Sequence, residues 1–372
     1  MMFFYGIEQL FLDRYLGNRS ARGYATIVFA LSLLVFDVPT GIIADKIGRK
    51  VCLVAAVVIQ ALALVVLGVS SSLGVYLLGI ALFGLQMGMF NGAAQALLYD
   101  WLADNNKTKL YAKHQGAMYA RFLIGAGIAN IASGLIAHTW GLRTAYFASI
   151  IPSLLALVVI TRLREPVFEK SSDSIWYAHA GEALRTLRKH PVIIRYTLFS
   201  IAASIVLYTI GEFGQVYLLH FDISTITLGI LWSVVAVFAA AGRTGAHFMQ
   251  RRVEILIGAF CVGLVVFNFT QGYLIGIGIF CIMYGLNEAL ANVAESEVQH
   301  NTPSHMRATM LSLVNCAGNL FSIPVVLLFT VYNTHHGILA ANRLIVIGVV
   351  LLLVVTIVWS HTRERESELA KI

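Results

Sequence analysis

Charge is what this sequence has least of. Asp, Glu, Lys and Arg make up 12% of its 372 residues, against 58% hydrophobic. With a mean hydropathy of +0.79, there is too little polar surface to cover a soluble globule of this size. The chain therefore belongs in a bilayer. Cysteine is scarce as well: Cys52, Cys261, Cys281 and Cys316 all fall inside apolar runs, without zinc-like spacing, so neither disulfides nor a metal cluster is expected. A nucleophile with its base, a metal-ligand cluster and a phosphate-binding loop are also missing, so the reading is not of an enzyme and no cofactor is implied. The first residues lack a basic leader, and Glu8 interrupts the opening apolar stretch, which argues against a signal peptide. The formal net charge of +7 does not point to nucleic acid, because the cations flank apolar segments instead of forming one basic domain.

What the chain does have is a series of long apolar runs, at about 24–44, 51–69, 75–101, 111–138, 142–161, 192–219, 223–248, 253–271, 273–299, 306–332 and 338–360. A spanning helix needs about 20 residues, so residues 1–12 are too few and read as the outer half of a first helix whose beginning is absent. The expectation is an all-α, polytopic membrane protein with eleven full spans and one partial one. Residues 1–161 form a first helix bundle, 162–191 a polar cytoplasmic linker with a short surface helix near 176–188, 192–361 a second bundle, and 362–372 a cytoplasmic tail.

Between the second and third segments lies a charged hinge, Gly41-Ile42-Ile43-Ala44-Asp45-Lys46-Ile47-Gly48-Arg49-Lys50. A helix dipole disfavours a carboxylate at a C-terminal end by about 0.3 to 1 kcal/mol, so Asp45 calls for a cation. Gly48 permits a positive φ, which lets one helix end and the next begin within a few residues. The pattern G-x-x-x-D-K-x-G-R-K resembles the signature of the major facilitator superfamily of secondary transporters. That resemblance implies two pseudo-symmetric six-helix bundles, with helices one, four, seven and ten lining a central cavity. It also implies a conformational latch of Gly41, Asp45, Gly48, Arg49, Lys50 and Asp100, in which Asp45 meets the helix start at Arg307 and Arg49 pairs with Asp100. Arg121 competes for Asp100. With the hinge placed in the cytoplasm, all eight lysines fall inside, as the positive-inside bias requires. The exception is the connection after the first helix, where Arg14, Arg19 and Arg22 lie outside.

An internal repeat supports the two halves. At an offset of 201, Phe83-Gly84-Leu85-Gln86 matches Tyr284-Gly285-Leu286-Asn287, Asn91 matches Asn292, and Gly41 matches Gly242. Asp45 falls on Ala246, so the second hinge, 242–252, is a degraded copy. Gly84, Gly88 and Gly92 form a small-residue face suited to close helix packing.

An ionisable side chain at a membrane helix centre costs about 2.5 to 3.5 kcal/mol, so each needs a partner, a wet cavity or a function. Glu212, Glu288 and Glu8 are the candidate proton-coupling residues, since a desolvated carboxylate takes and releases a proton near neutral pH as its exposure changes. Helical spacing groups Tyr5 with Glu8, Tyr208 with Glu212 and Gln215, and Glu288 with Asn292 and Glu295. Tyr5, Asn91, Gln95, Tyr208, Gln215 and Asn292 are candidate substrate-cavity residues. His335 and His336 read as a solvated outer-loop pair. Helix four lacks the arginine, and helix five the Gly-Pro pair, that many members of the resembled family carry.

The function expected is secondary active transport of a small organic molecule by alternating access, proton-coupled and outward. The alternatives are uptake of a nutrient such as a sugar or amino acid by the same fold, and a non-transporting membrane receptor or assembly factor. The expected partners are the substrate, protons and the lipid bilayer, with no nucleic acid. The chain is expected to be a monomer in a bacterial inner membrane.

Overall fold

A computed structural model describes residues 2–17, 21–107, 110–164, 181, 184–211, 214, 223–269, 273–302 and 307–369. The elements are helical: α1 (Glu8–Phe11), α2 (Ala21–Ile47), α3 (Arg49–Val69), α4 (Leu73–Asp104), α5 (Tyr111–Trp140), α6 (Leu142–Ala148), α7 (Ile150–Arg162), α8 (Pro191–Val206), α9 (Thr225–Met249), α10 (Val253–Phe269), α11 (Tyr273–His300), α12 (Arg307–His336) and α13 (Ile338–Leu369). Among the described residues nine segments are long and apolar enough to cross a membrane, α6 and α7 together counting as one. The 27-residue α2 and the 17-residue α10, a shorter apolar helix, fall outside that set. The first described elements are a 3-10 turn Tyr5–Ile7, the four residues of α1, and a π turn Leu12–Leu16 that ends at Gly17 with φ 57°.

Three expectations need correction. α2 begins at Ala21, so Arg22 is a helical residue and not part of an outer loop. His335 and His336 close the last turn of α12. The run 192–219 is not one uniform helix, because regular helix stops at Val206 and a π segment, Leu207–Gly211, follows. The expected surface helix near 176–188 falls largely outside the described residues.

The chain forms two compact units, Met1–Ser171 with Leu218–Ala236, and Ser172–Tyr217 with Val237–Ile372. In the first, α4 packs along both α2 and α3. Lipid tails are as apolar as leucine, so close backbone approach and polar contacts drive this packing in place of hydrophobic burial. Gly84 faces the Ser32 side chain, and a β-carbon on Gly88 would lie 3.5 Å from the Asp37 backbone. A cluster of small and medium residues, among them Ala44, Cys52, Ala56, Met89 and Ala93, fills the space beneath the hinge. A second cluster is aromatic. Tyr146 stacks on Phe4 with ring centroids 4.7 Å apart and lies 4.8 Å from Phe11. On α3 the residues Val58, Leu62, Val65 and Val69 stay exposed along one face while Leu53, Ala56, Leu64 and Leu67 are buried, the division expected of a helix with one side toward lipid.

The first half of α9 belongs to the first unit, where Gly229 and Gly134 bring it against α5, and Ser233 Oγ donates to the Gly127 carbonyl at 2.8 Å. In the second unit α8 packs on α11, α12 and α13, and α10 packs on α11. α9 and α11 cross where Gly242 meets Gly285, and a β-carbon on Gly242 would run into the Gly285 carbonyl. Gly245, one turn on, has nothing within 4 Å of such an atom. Overpacking costs about 1 to 3 kcal/mol. Gly242→Ala is therefore expected to lower the thermal unfolding temperature of the purified protein in detergent, while Gly245→Ala leaves it unchanged; equal behaviour of the two would refute the crossing.

Candidate functional site: buried ion pairs and the hinge

Gly48 has φ 110° and ψ 142°, a conformation that side-chain-bearing residues rarely adopt. It separates α2 from α3 with continuous backbone bonding: its N–H donates to the Ala44 carbonyl, and its own carbonyl accepts from Cys52, both at 3.1 Å. The turn leaves Arg49 as the first residue of α3, from which its guanidinium donates to Asp100 near the end of α4. Arg121 is exposed, so of the two pairings left open for Asp100 the structure has the one with Arg49. Lys50 is half-buried beside it. Gly41 and Asp45 lie in α2, but the surroundings of Gly41 and the side-chain position of Asp45, like those of Asn91 and Gln95 in α4, lie outside what is described.

At the second hinge an amide–carboxylate hydrogen bond stands in place of this ion pair. At the same offset of 201, Gln250 stands where Arg49 does and Asn301 where Asp100 does. Gln250 Nε2 donates to Glu297 Oε1 at 2.6 Å, and Asn301 Nδ2 donates to the Glu297 carbonyl at 2.8 Å. The copy has lost its ion pair and kept a polar tie between the same two helices.

Glu8 sits where the short first helix meets α2 and α4. Arg22 Nη1 donates to one carboxylate oxygen and the Tyr76 hydroxyl to the other. Side-chain exposure is 2% for Arg22 and 7% for Glu8. The ring of Tyr5 lies 5.7 Å from the Arg22 guanidinium and meets Trp232 edge-on at 5.8 Å. Two charges removed this fully from water are held by each other and by Tyr76, and removing one partner of a buried pair costs about 3 to 5 kcal/mol. Arg22 escaped the sequence reading because it precedes the apolar run. The signal was present nonetheless: three arginines on the wrong side of the charge bias, next to an unexplained glutamate.

A second cluster lies in the other unit. Glu288, Asn292 and Glu295, which share one face of α11, all reach Arg243 of α9. Arg243 Nη1 lies 3.2 Å from Glu288 Oε2 and Nη2 2.8 Å from Glu295 Oε2, while Asn292 Nδ2 donates to the Arg243 carbonyl at 2.6 Å. Exposure here is 25% for Arg243, 13% for Glu288 and 32% for Glu295, so this cluster is less enclosed than the first. Tyr208, at the π segment, donates to Asn319 Oδ1 of α12 at 3.0 Å. Glu212 and Gln215 lie outside the described residues. Arg243 was also missed, although it follows the Gly242 that the repeat had marked.

Replacing Arg22 by Gln is expected to destabilise the protein by about 3 to 5 kcal/mol, and the double change of Glu8 and Arg22 to Gln by less than Arg22→Gln alone, because it leaves no unbalanced buried charge. Thermal unfolding of the three variants in detergent measures this; additive losses would show that the two side chains do not act as a pair.

A family model described as Major Facilitator Superfamily matches residues 1–326. Inner membrane transport protein YajR of Escherichia coli (strain K12) is 23% identical over 314 residues, which is 78% of this chain and 64% of the relative, so the chain spans less than two thirds of that protein. Multidrug resistance protein 2 of Bacillus subtilis (strain 168) is 22% identical over 367 residues, covering 92% of this chain and 87% of the relative. The crystal structure of the nucleoside transporter NupG matches in fold, with a TM-score of 0.75 at 16% identity over 96% of this chain and 94% of that one. With its apolar helices, its hinge and a family match over most of its length, the chain is an integral, multi-pass membrane protein that belongs to the Major Facilitator Superfamily.

Proposed function

We propose that the protein is a secondary transporter that moves a small organic molecule by alternating access, coupled to protons and directed outward. The observation that carries this reading is the half-buried Arg243, Glu288 and Glu295 cluster. Carboxylates at membrane depth are expensive, and those reached by water are suited to taking and releasing protons. The likeness to a protein named for multidrug resistance supports outward transport of amphiphilic compounds, and acidic groups favour cationic or neutral ones. Nutrient uptake would be better served by amides turned toward a ligand. Here Asn292 is engaged with the Arg243 carbonyl and Asn319 with Tyr208.

In this reading the protein sits as a monomer in a bacterial inner membrane, with the linker 162–191 and the C-terminus in the cytoplasm. The hinge acts as the latch: Arg49 bound to Asp100 holds α3 to α4 in one state of the cycle, with Asp45 at the start of α12 as its further tie. Glu212 and Glu288 remain the proton-coupling candidates. Glu8, enclosed with Arg22, fits a structural role better.

Purified protein in proteoliposomes, given a pH gradient and ethidium as a cationic amphiphilic probe, is expected to accumulate the dye and to move protons in the opposite sense. Absence of proton-linked movement with ethidium, and equally with a panel of neutral amphiphiles, sugars and amino acids, would overturn the proposal.

A further inference from the structure

We propose that Arg243 is a positioning residue that makes Glu288 exchangeable, with Glu295 as its second anchor. The inference rests on the transporter reading and goes beyond it by giving a role to Arg243, which neither the hinge motif nor the sequence pattern had singled out, and to Glu295, which helical spacing had only grouped with Glu288.

The geometry distinguishes the two charge clusters. In the first unit Arg22 and Glu8 are sealed from water, and neutralising Glu8 would leave the guanidinium in a place solvent cannot reach. In the second unit the two terminal nitrogens of Arg243 are divided between two carboxylates seven residues apart on α11, Glu288 at 3.2 Å and Glu295 at 2.8 Å. The shorter contact is to the more exposed acid. If Glu288 takes a proton, Arg243 keeps an ionised partner at Glu295 and stays in place, tied also through its own carbonyl to Asn292. One fixed guanidinium with two carboxylates turns a locked pair into a set that can give up one member.

The repeat supports a role particular to this half. At the offset of 201, Arg243, Glu288 and Glu295 correspond to Ile42, Met87 and Ala94. All three counterparts are apolar, so neither the fold nor the helix crossing requires charges there. Among the described residues, other charged groups on or near these helices have partners of their own. On the helices packed against α11, Arg195 of α8 pairs with Glu254 of α10 at 3.5 Å, and further along α11 Glu297 takes Gln250.

The test uses the full chain in proteoliposomes with ethidium, measured in two ways: accumulation driven by a pH gradient, and exchange of labelled dye without one. Arg243→Lys, which keeps a cation but has one nitrogen in place of the two that reach Glu288 and Glu295, is expected to lower driven accumulation and leave exchange within about threefold. Glu295→Gln leaves Arg243 with Glu288 as its remaining carboxylate of the two, so driven accumulation is expected to fall about tenfold or more while exchange stays within about threefold. Driven accumulation near the unaltered level in Glu295→Gln would overturn the proposal, as would equal loss of both activities. If the unaltered protein moves no ethidium at all, the transport reading fails separately. The cluster is then tested by thermal unfolding of Arg243→Gln, Glu295→Gln and the double variant. A double variant at least as stable as Arg243→Gln supports the shared arginine, and additive losses refute it.

Discussion

A charge at membrane depth has to be balanced within the protein, because the lipid offers it nothing. That requirement organises more of this molecule than its hydrophobic surfaces do. The apolar side chains of α3 are as comfortable against lipid as against a neighbouring helix, so they do not decide which helices meet. Glu8, Asp100 and Glu288 do restrict that choice. Each must be brought to an arginine on another helix, and each of those contacts ties together elements distant in sequence: Arg22 of α2 to the start of the chain, Arg49 of α3 to α4, Arg243 of α9 to α11. The glycine crossings make the approach possible, and the ion pairs hold it.

The three pairs are graded by how far their side chains are enclosed. The Glu8 pair is closed, with a tyrosine hydroxyl filling the remaining acceptor; it can hold the short first helix against its neighbours but has no route for exchange. The Arg49 pair lies at a helix end beside a glycine turn, with both side chains mostly buried, and adds a polar tie to two helices that already pack along one another. The Arg243 cluster is the least enclosed and has one carboxylate more than the bridging arginine alone balances. In the function proposed above, the closed, terminal and shared pairs serve as a brace, a latch and a proton carrier respectively.

Much of the fold was legible in the sequence, for physical reasons that also mark where the reading stops. Run length against bilayer thickness gave the helices, and a single glycine between two helical runs gave a positive φ at Gly48, found at 110°. Helical periodicity put Glu288, Asn292 and Glu295 on one face, and all three do contact a common residue. Periodicity describes one helix at a time, however, and cannot say what stands across from that face. Arg243 lies 45 residues before Glu288, and only tertiary packing brings them together. Arg22 was hidden by a boundary drawn at the first apolar residue, three positions too late, because a buried arginine looks like a loop residue until its partner is known.

The duplication explains why both omissions were arginines. Between halves related by an offset of 201 the backbone devices persist: Gly41 and Gly242, Gly84 and Gly285, and a polar tie between the hinge and its neighbouring helix that is an ion pair in one copy and an amide–carboxylate hydrogen bond in the other. The charge clusters do not persist. Glu8, Arg22 and Tyr76 correspond to Thr209, Ile223 and Ile277, just as Arg243, Glu288 and Glu295 correspond to Ile42, Met87 and Ala94. Within each set the members differ together, as they must, since an acid without its arginine, or an arginine without its acid, would be an unbalanced charge at membrane depth. A comparison that seeks what the halves share will therefore find the scaffold and pass over the residues that give each half its own chemistry.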